Sequence, residues 1–216
     1  MKTNSALIIA FVVMAGAGSC VVGQKLSFEN KDAGPGYSVT KTATIVFQDQ
    51  RSEVLSGKEK PSFCGHSNSS AQISYNIQTE SGKPLADEFA RSVSNAYGNA
   101  GANAGMLIVN MNTKPDSVLQ VFNAGDKERL LFFTIRKWES RATPLFSSIR
   151  YEVIYYLELN VFNKQGELLA SATTQDIVVK EQGAATSMKQ MQAMADEVFK
   201  EQVKKLLSKE DVKKFL

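Results

Sequence analysis

Three places in this 216-residue sequence carry side chains whose types and spacing could do chemistry. The first is Phe63-Cys64-Gly65-His66, where a thiol lies two residues from the only histidine. A Cys–His nucleophile pair needs a thiolate, a base and a third group that orients the base. Two residues of spacing on a polar stretch is not such a signature. The second is Asp49-Gln50-Arg51, a charged group at the end of an apolar β-type run. Charged side chains at strand ends often bind ligands, so Asp49 and Arg51 are candidate binding residues, and a plain local ion pair is the competing reading. The third is Cys20, which directly follows Ala17-Gly18-Ser19 at the end of an apolar leader. Small residues before a cysteine at that place match a bacterial lipobox, at which the sulfur is lipidated, although Ala17 stands where leucine is usual. The alternative is cleavage near residues 15–17, which leaves Cys20 as a thiol open to pairing with Cys64.

The leader sets the context of these residues. Lys2 supplies a positive n-region, and Ala6 to Ala17 form a short apolar h-region. About twenty apolar residues are needed to cross a bilayer, so residues 1–19 are expected to be a secretory signal rather than a span. Residues 20–42, with Gly34, Pro35 and Gly36, are expected to form a tether whose twenty residues from Gly23 to Thr42 could reach roughly 70 Å at full extension, and residues 43–216 a single α/β domain. The net charge is +3, and no basic stripe or interleaved aromatic and basic motif is present, which argues against a nucleic-acid partner. One histidine disfavours a His-rich metal site or His-based catalysis, and no cofactor is expected.

The elements that must position these residues follow from periodicity. Residues 148–162 alternate: Ile149, Tyr151, Val153, Tyr155, Leu157, Leu159 and Val161 share one face of a strand. Asn163-Lys164-Gln165-Gly166 is a turn that folds residues 167–180 back beside it. With Phe162 opposite Glu167, Leu159 would face Ala170 and Leu157 would face Ala172. Further strands are expected at 43–48, 106–110 and 130–139. Residues 52–81 read as a packed loop with a short strand at 72–78. Leu85, Phe89, Val93 and Tyr97 recur every four residues and predict a helix over 83–97. Helices are also expected at 115–124 and 184–207. The methionine-containing stripe of the last is read as core, with a partner-binding groove as the alternative. Ser208 with Asp211 predicts the start of a final short helix. The fold class is therefore α/β of the α+β type: a mostly antiparallel sheet with a long β-hairpin, packed against two to three helices including a long C-terminal one.

The order of these pieces resembles the YajG-like bacterial envelope lipoproteins. The features that carry it are the leader with Cys20, Asp49-x-Arg51, Lys83-Pro84-Leu85-Ala86-Asp87-Glu88-Phe89, the Trp138 strand and the segment 157–171. The resemblance implies a lipid-anchored α/β domain with no catalytic residues to carry over. By similarity to enterobacterial lipoproteins, the absence of an acidic residue at Val21 implies the outer membrane. The expected protein is a non-catalytic lipoprotein, attached through Cys20 and facing the periplasm as an interaction or assembly module. Its partners would be the membrane and an unidentified envelope protein. The alternative is a soluble secreted or periplasmic binding domain with an unlipidated Cys20.

Overall fold

The computed structural model describes residues 24–183 and 188–216. Cys20 and the expected signal segment lie outside the described residues. Eight strands form one sheet: β1 (Lys25–Leu26), β2 (Ala43–Asp49), β3 (Phe63–Asn68), β4 (Ser74–Thr79), β5 (Ala104–Met106), β6 (Arg129–Pro144), β7 (Ser148–Phe162) and β8 (Leu168–Gly183). Among the described residues five helices accompany it: α1 (Ser52–Leu55), α2 (Leu85–Asn99), α3 (Pro115–Ala124), α4 (Met188–Leu207) and α5 (Glu210–Lys213). This is the expected α+β class. The long ladders β6–β7 and β7–β8 are antiparallel, whereas β2 pairs with both β5 and β6 in parallel.

Strand β6 is the spine. One of its edges pairs with β7 along almost its whole length. The other edge is shared: β2 takes residues 129–135 and β3 takes residues 140–142, both in parallel. A bulge at Arg136 separates the two halves. Leu131, Phe133 and Ile135 face the main core before it, and Trp138 and Ala142 after it, so the buried parity switches from odd to even. An inserted residue does this because successive side chains alternate faces.

The main core lies between the sheet and α2, α4 and α5. Leu85, Phe89, Val93 and Tyr97 are all fully buried, as their spacing predicts. Trp138 meets Phe28, Phe89 and Phe199 edge-on, with ring centroids 5.0–6.2 Å apart. Met191, Met194, Val198 and Phe199 are buried, so the methionine stripe of α4 is core. A smaller core on the opposite face packs α3 through Val118 and Phe122 against Val46, Leu130 and Phe132.

Several expectations are corrected. Residues 24–42 are part of the domain and not a tether. Leu26 and Phe28 are fully buried, and β1 pairs with β4. The Gln192 amide accepts from the Ser27 N–H at 2.7 Å and donates to the Ser27 carbonyl at 2.8 Å, as a neighbouring strand would. Glu88 accepts the Phe28 N–H at 2.7 Å. Side chains of α2 and α4 thus satisfy a segment whose glycines suggest freedom. Residues 52–81 hold α1, β3 and β4 rather than a loop with a single strand. The strand expected at 106–110 is β5, and it ends at Met106; Ile108 is exposed. In the hairpin, Leu159 faces Ala172 and Leu157 faces Thr174: Phe162 pairs with Leu168 rather than Glu167, and Leu169 is then extruded before Val161 pairs with Ala170. The longer turn and the bulge each move the register by one, and the total of two keeps the buried faces matched. Lys209, not Ser208, precedes α5, and the Ser208 hydroxyl reaches the Pro35 carbonyl instead.

Candidate functional site

Asp49 ends β2, and Arg51 precedes α1. The Arg51 side chain is fully buried. Its Nε donates to Asp49 Oδ1 at 2.9 Å and its Nη2 to Asp49 Oδ2 at 2.6 Å, a two-point clamp. Nη1 donates to the Phe63 carbonyl at 2.7 Å and the Trp138 carbonyl at 3.3 Å, and Nη2 reaches the Pro61 carbonyl at 3.4 Å. A guanidinium has five N–H groups, and all five are engaged. The location explains why. Between the end of β2–β6 pairing at Ile135 and the start of β3–β6 pairing at Ser140, the Trp138 carbonyl faces a gap in the ladder. Arg51 fills that gap. The pair expected to bind a ligand instead staples three strands together.

Cys64 and His66 do not form a pair. Cys64 is fully buried in the main core, and burial raises its pKa far above that of an ordinary thiol. Its Sγ lies 3.4 Å from the Ser62 carbonyl. His66 faces the other way, over the Phe63 ring and toward an open groove. Among the described residues no three His, Cys, Asp or Glu side chains are grouped to hold a metal.

That groove, of about 790 Å³, is the candidate site. The outward face of β6 after the bulge forms its floor, and α1 and β3 flank it. At its centre Glu139 is nearly buried and is held from two sides. Arg141 donates through Nε at 2.7 Å and Nη2 at 2.9 Å, and Lys137 Nζ approaches at 3.0 Å. Lys137 also binds Glu53 of α1 at 3.1 Å, and His66 Nε2 lies 3.9 Å from Glu139. Burial pushes the Glu139 carboxyl up, but hydrogen bonds from Arg141 and Lys137 outweigh it, and the net pKa is lowered. Lys137 is raised: desolvation opposes its charge, and the bonds to Glu139 and Glu53 prevail. Glu139, Lys137, Arg141 and Glu53 thus hold one another's charges within the groove. The arrangement suits recognition of a polar, charged surface on a rigid sheet. Its residues stood in the sequence as Lys137-x-Glu139-x-Arg141, charges spaced by two on one strand. That spacing places them on one face, and it was the available signal.

No family model matches this sequence, and no curated protein matches it. Solved structures that align with this chain include an uncharacterized protein at TM-score 0.40 and 8% identity, covering 90% of this chain and 99% of that one. A putative neuraminyllactose-binding hemagglutinin homolog from Helicobacter pylori aligns at TM-score 0.37 and 11% identity, over 88% of this chain and 94% of that one. Lipoprotein GNA1162 from Neisseria meningitidis aligns at TM-score 0.29 and 12% identity, over 76% and 98%. None of the three is named as YajG-like, and at TM-scores of 0.29 to 0.40 they assign no function. Among the described residues no helix is long and apolar enough to cross a membrane.

Proposed function

We propose that this chain is a non-catalytic lipoprotein of the bacterial cell envelope, anchored through Cys20 in the outer membrane and facing the periplasm. In this reading it docks another envelope protein at the groove around Glu139. The observation that carries the docking role is the groove itself: an open concavity whose charged side chains stand on paired strands and α1, already ordered by one another. Preordered charges lose little freedom on binding and select partners by complementarity. The anchor rests on Cys20 at the end of the leader.

Two measurements test the two halves. Intact mass of the protein from its native membranes should show a diacylglycerol on Cys20. An unmodified thiol in a soluble periplasmic protein removes the anchor and favours the secreted binding domain. Cross-linking in intact cells, compared between wild type and Glu139→Arg, tests the groove. A cross-linked product that the substitution abolishes, with the fold retained, is the expected result. The same products from both proteins would exclude the groove as the docking surface.

A further inference from the structure

The end of the sheet from which the chain emerges toward Cys20 differs from the opposite end. Strand β1 runs parallel to β4, with Lys25 opposite Gln78 and Leu26 opposite Thr79. The chain therefore enters the sheet travelling away from the start of β4, where the β3–β4 turn lies. Gln24 lines a small cavity together with Asn68, Pro144 and Ile149, which flank the β3–β4 and β6–β7 turns. Four residue steps separate Cys20 from Gln24, a reach of at most about 14 Å. Four residues also separate Ile73 from Ile77, the β4 position that Gln24 would oppose if the β1 register continued.

The two turns at this end are built alike. Residues 69–73 are Ser-Ser-Ala-Gln-Ile, and residues 145–148 are Leu-Phe-Ser-Ser. Neither carries a charge. Both present apolar side chains to solvent: Phe146 is completely exposed, Ile73 is 55% exposed and Leu145 is 43% exposed. On the β7–β8 ladder the first charged residues inward from this end are Arg150 and Glu181. At the opposite end, residues 126–128 are Asp-Lys-Glu, and the β7–β8 turn carries Lys164 and Glu167. Exposed Leu168 at that opposite end stands among charges, whereas the exposed apolar side chains of the two turns near the cysteine have none beside them in the turn. Charged side chains are costly at the acyl boundary, whereas aromatic and aliphatic ones are favoured there.

We infer that this end is a membrane-contacting rim, and that Phe146, Leu145 and Ile73 insert into the interface of the lipid bilayer that holds Cys20. The inference rests on the anchored reading above and adds an orientation to it. A lipid chain alone leaves a domain free to tumble on its linker. A rim that also enters the interface sets the strands upright and presents the groove at Glu139 sideways.

The test places a fluorophore on the rim. Full-length Phe146→Trp, purified from native membranes, is reconstituted into phosphatidylethanolamine–phosphatidylglycerol vesicles containing brominated phosphatidylcholine. Trp138 is fully buried, and its emission is subtracted using the parent protein. Leu168→Trp, at an exposed position at the opposite end, is the control. The indole introduced at position 146 should shift to the blue and lose at least half of its emission to the bromines, and the one at 168 should lose none. Equal quenching at the two positions, or emission from position 146 as in water, overturns the rim. Intact mass of the same samples reads the anchor separately. If Cys20 carries no lipid, the anchored reading fails. The protein added to the vesicles then tests the rim alone: quenching confined to position 146 upholds it, and its absence rejects it.

Discussion

At Arg51, a change of side chain removes bonds that no neighbour can replace. The Asp49 carboxylate is also buried, so losing the guanidinium leaves an unpaired charge and takes the Arg51 donors from the Phe63 and Trp138 carbonyls, while Pro61 keeps the Leu85 N–H. Breaking a buried ion pair from one side costs about 3–5 kcal/mol. Arg51→Met should lose that much in urea unfolding; a stability equal to wild type would return Asp49 and Arg51 to the list of binding candidates. Glu139 makes a pH prediction. Its folded pKa is lowered below the ordinary 4.5, so its contribution is present above that range and is lost as pH falls through the lowered value. Glu139→Gln should therefore be less stable than wild type near pH 7, and the gap in melting temperature should narrow as pH falls below 4.5. A gap that is constant with pH would mean that the Glu139 ion pairs do not stabilise the fold. Glu88 works in the opposite sense. Burial raises its pKa, so its contribution favours the folded protein below 4.5 and is lost as pH rises through the raised value.

At the scale of elements, β3 comes very close to β6 at Gly65. A Cβ built there would lie 1.8 Å from the Ser140 carbonyl oxygen, which is backbone that belongs to β6. Only glycine lets β3 close onto the spine at that point. Gly65→Ala should cost about 3 kcal/mol or more, since overpacking against backbone cannot be relieved by a rotamer change. Thermal unfolding at wild-type temperature would show that β3 and β6 do not approach as described. The long helix α4 makes a second case. Phe199 is fully buried and stacks on Phe89 with centroids 4.0 Å apart. Phe199→Ala should cost about 3–5 kcal/mol in denaturant unfolding. A change too small to measure would restore α4 as an exposed partner groove.

For the whole molecule, the position of the first strand matters most. With the domain beginning at Lys25, the reach from Cys20 falls from the tens of ångströms of a tether to a short link. The protein would then lie against its membrane and could not extend far from it. Cys20→Ser should release the domain from the membrane fraction without changing its melting temperature. Retention in membranes after that change would require another attachment, and a lowered melting temperature would mean that Cys20 is part of the fold.

Local periodicity was enough to place the strand at 148–162, the helix stripe from Leu85 to Tyr97, the helix at 115–124 and the buried side of α4. Each of these is a property of neighbouring residues, because an element with one buried face must repeat its apolar residues at the period of its own backbone. Strand β3 had no such signal. Cys64, Gly65, His66, Ser67 and Asn68 are mostly small or polar, and their place is set by backbone bonding to β4 and β6. The lead-in from Gln24 was hidden for the same reason, since its partners Glu88 and Gln192 lie 60 and 165 residues away. The hairpin register turned on a turn one residue longer than expected and on one extruded residue, Leu169, neither of which alternation alone marks. Asp49 and Arg51 were visible as a charged pair at a strand end. Whether they faced a ligand or a gap between strands depended on where β3 and β6 met, and only the tertiary structure decides that.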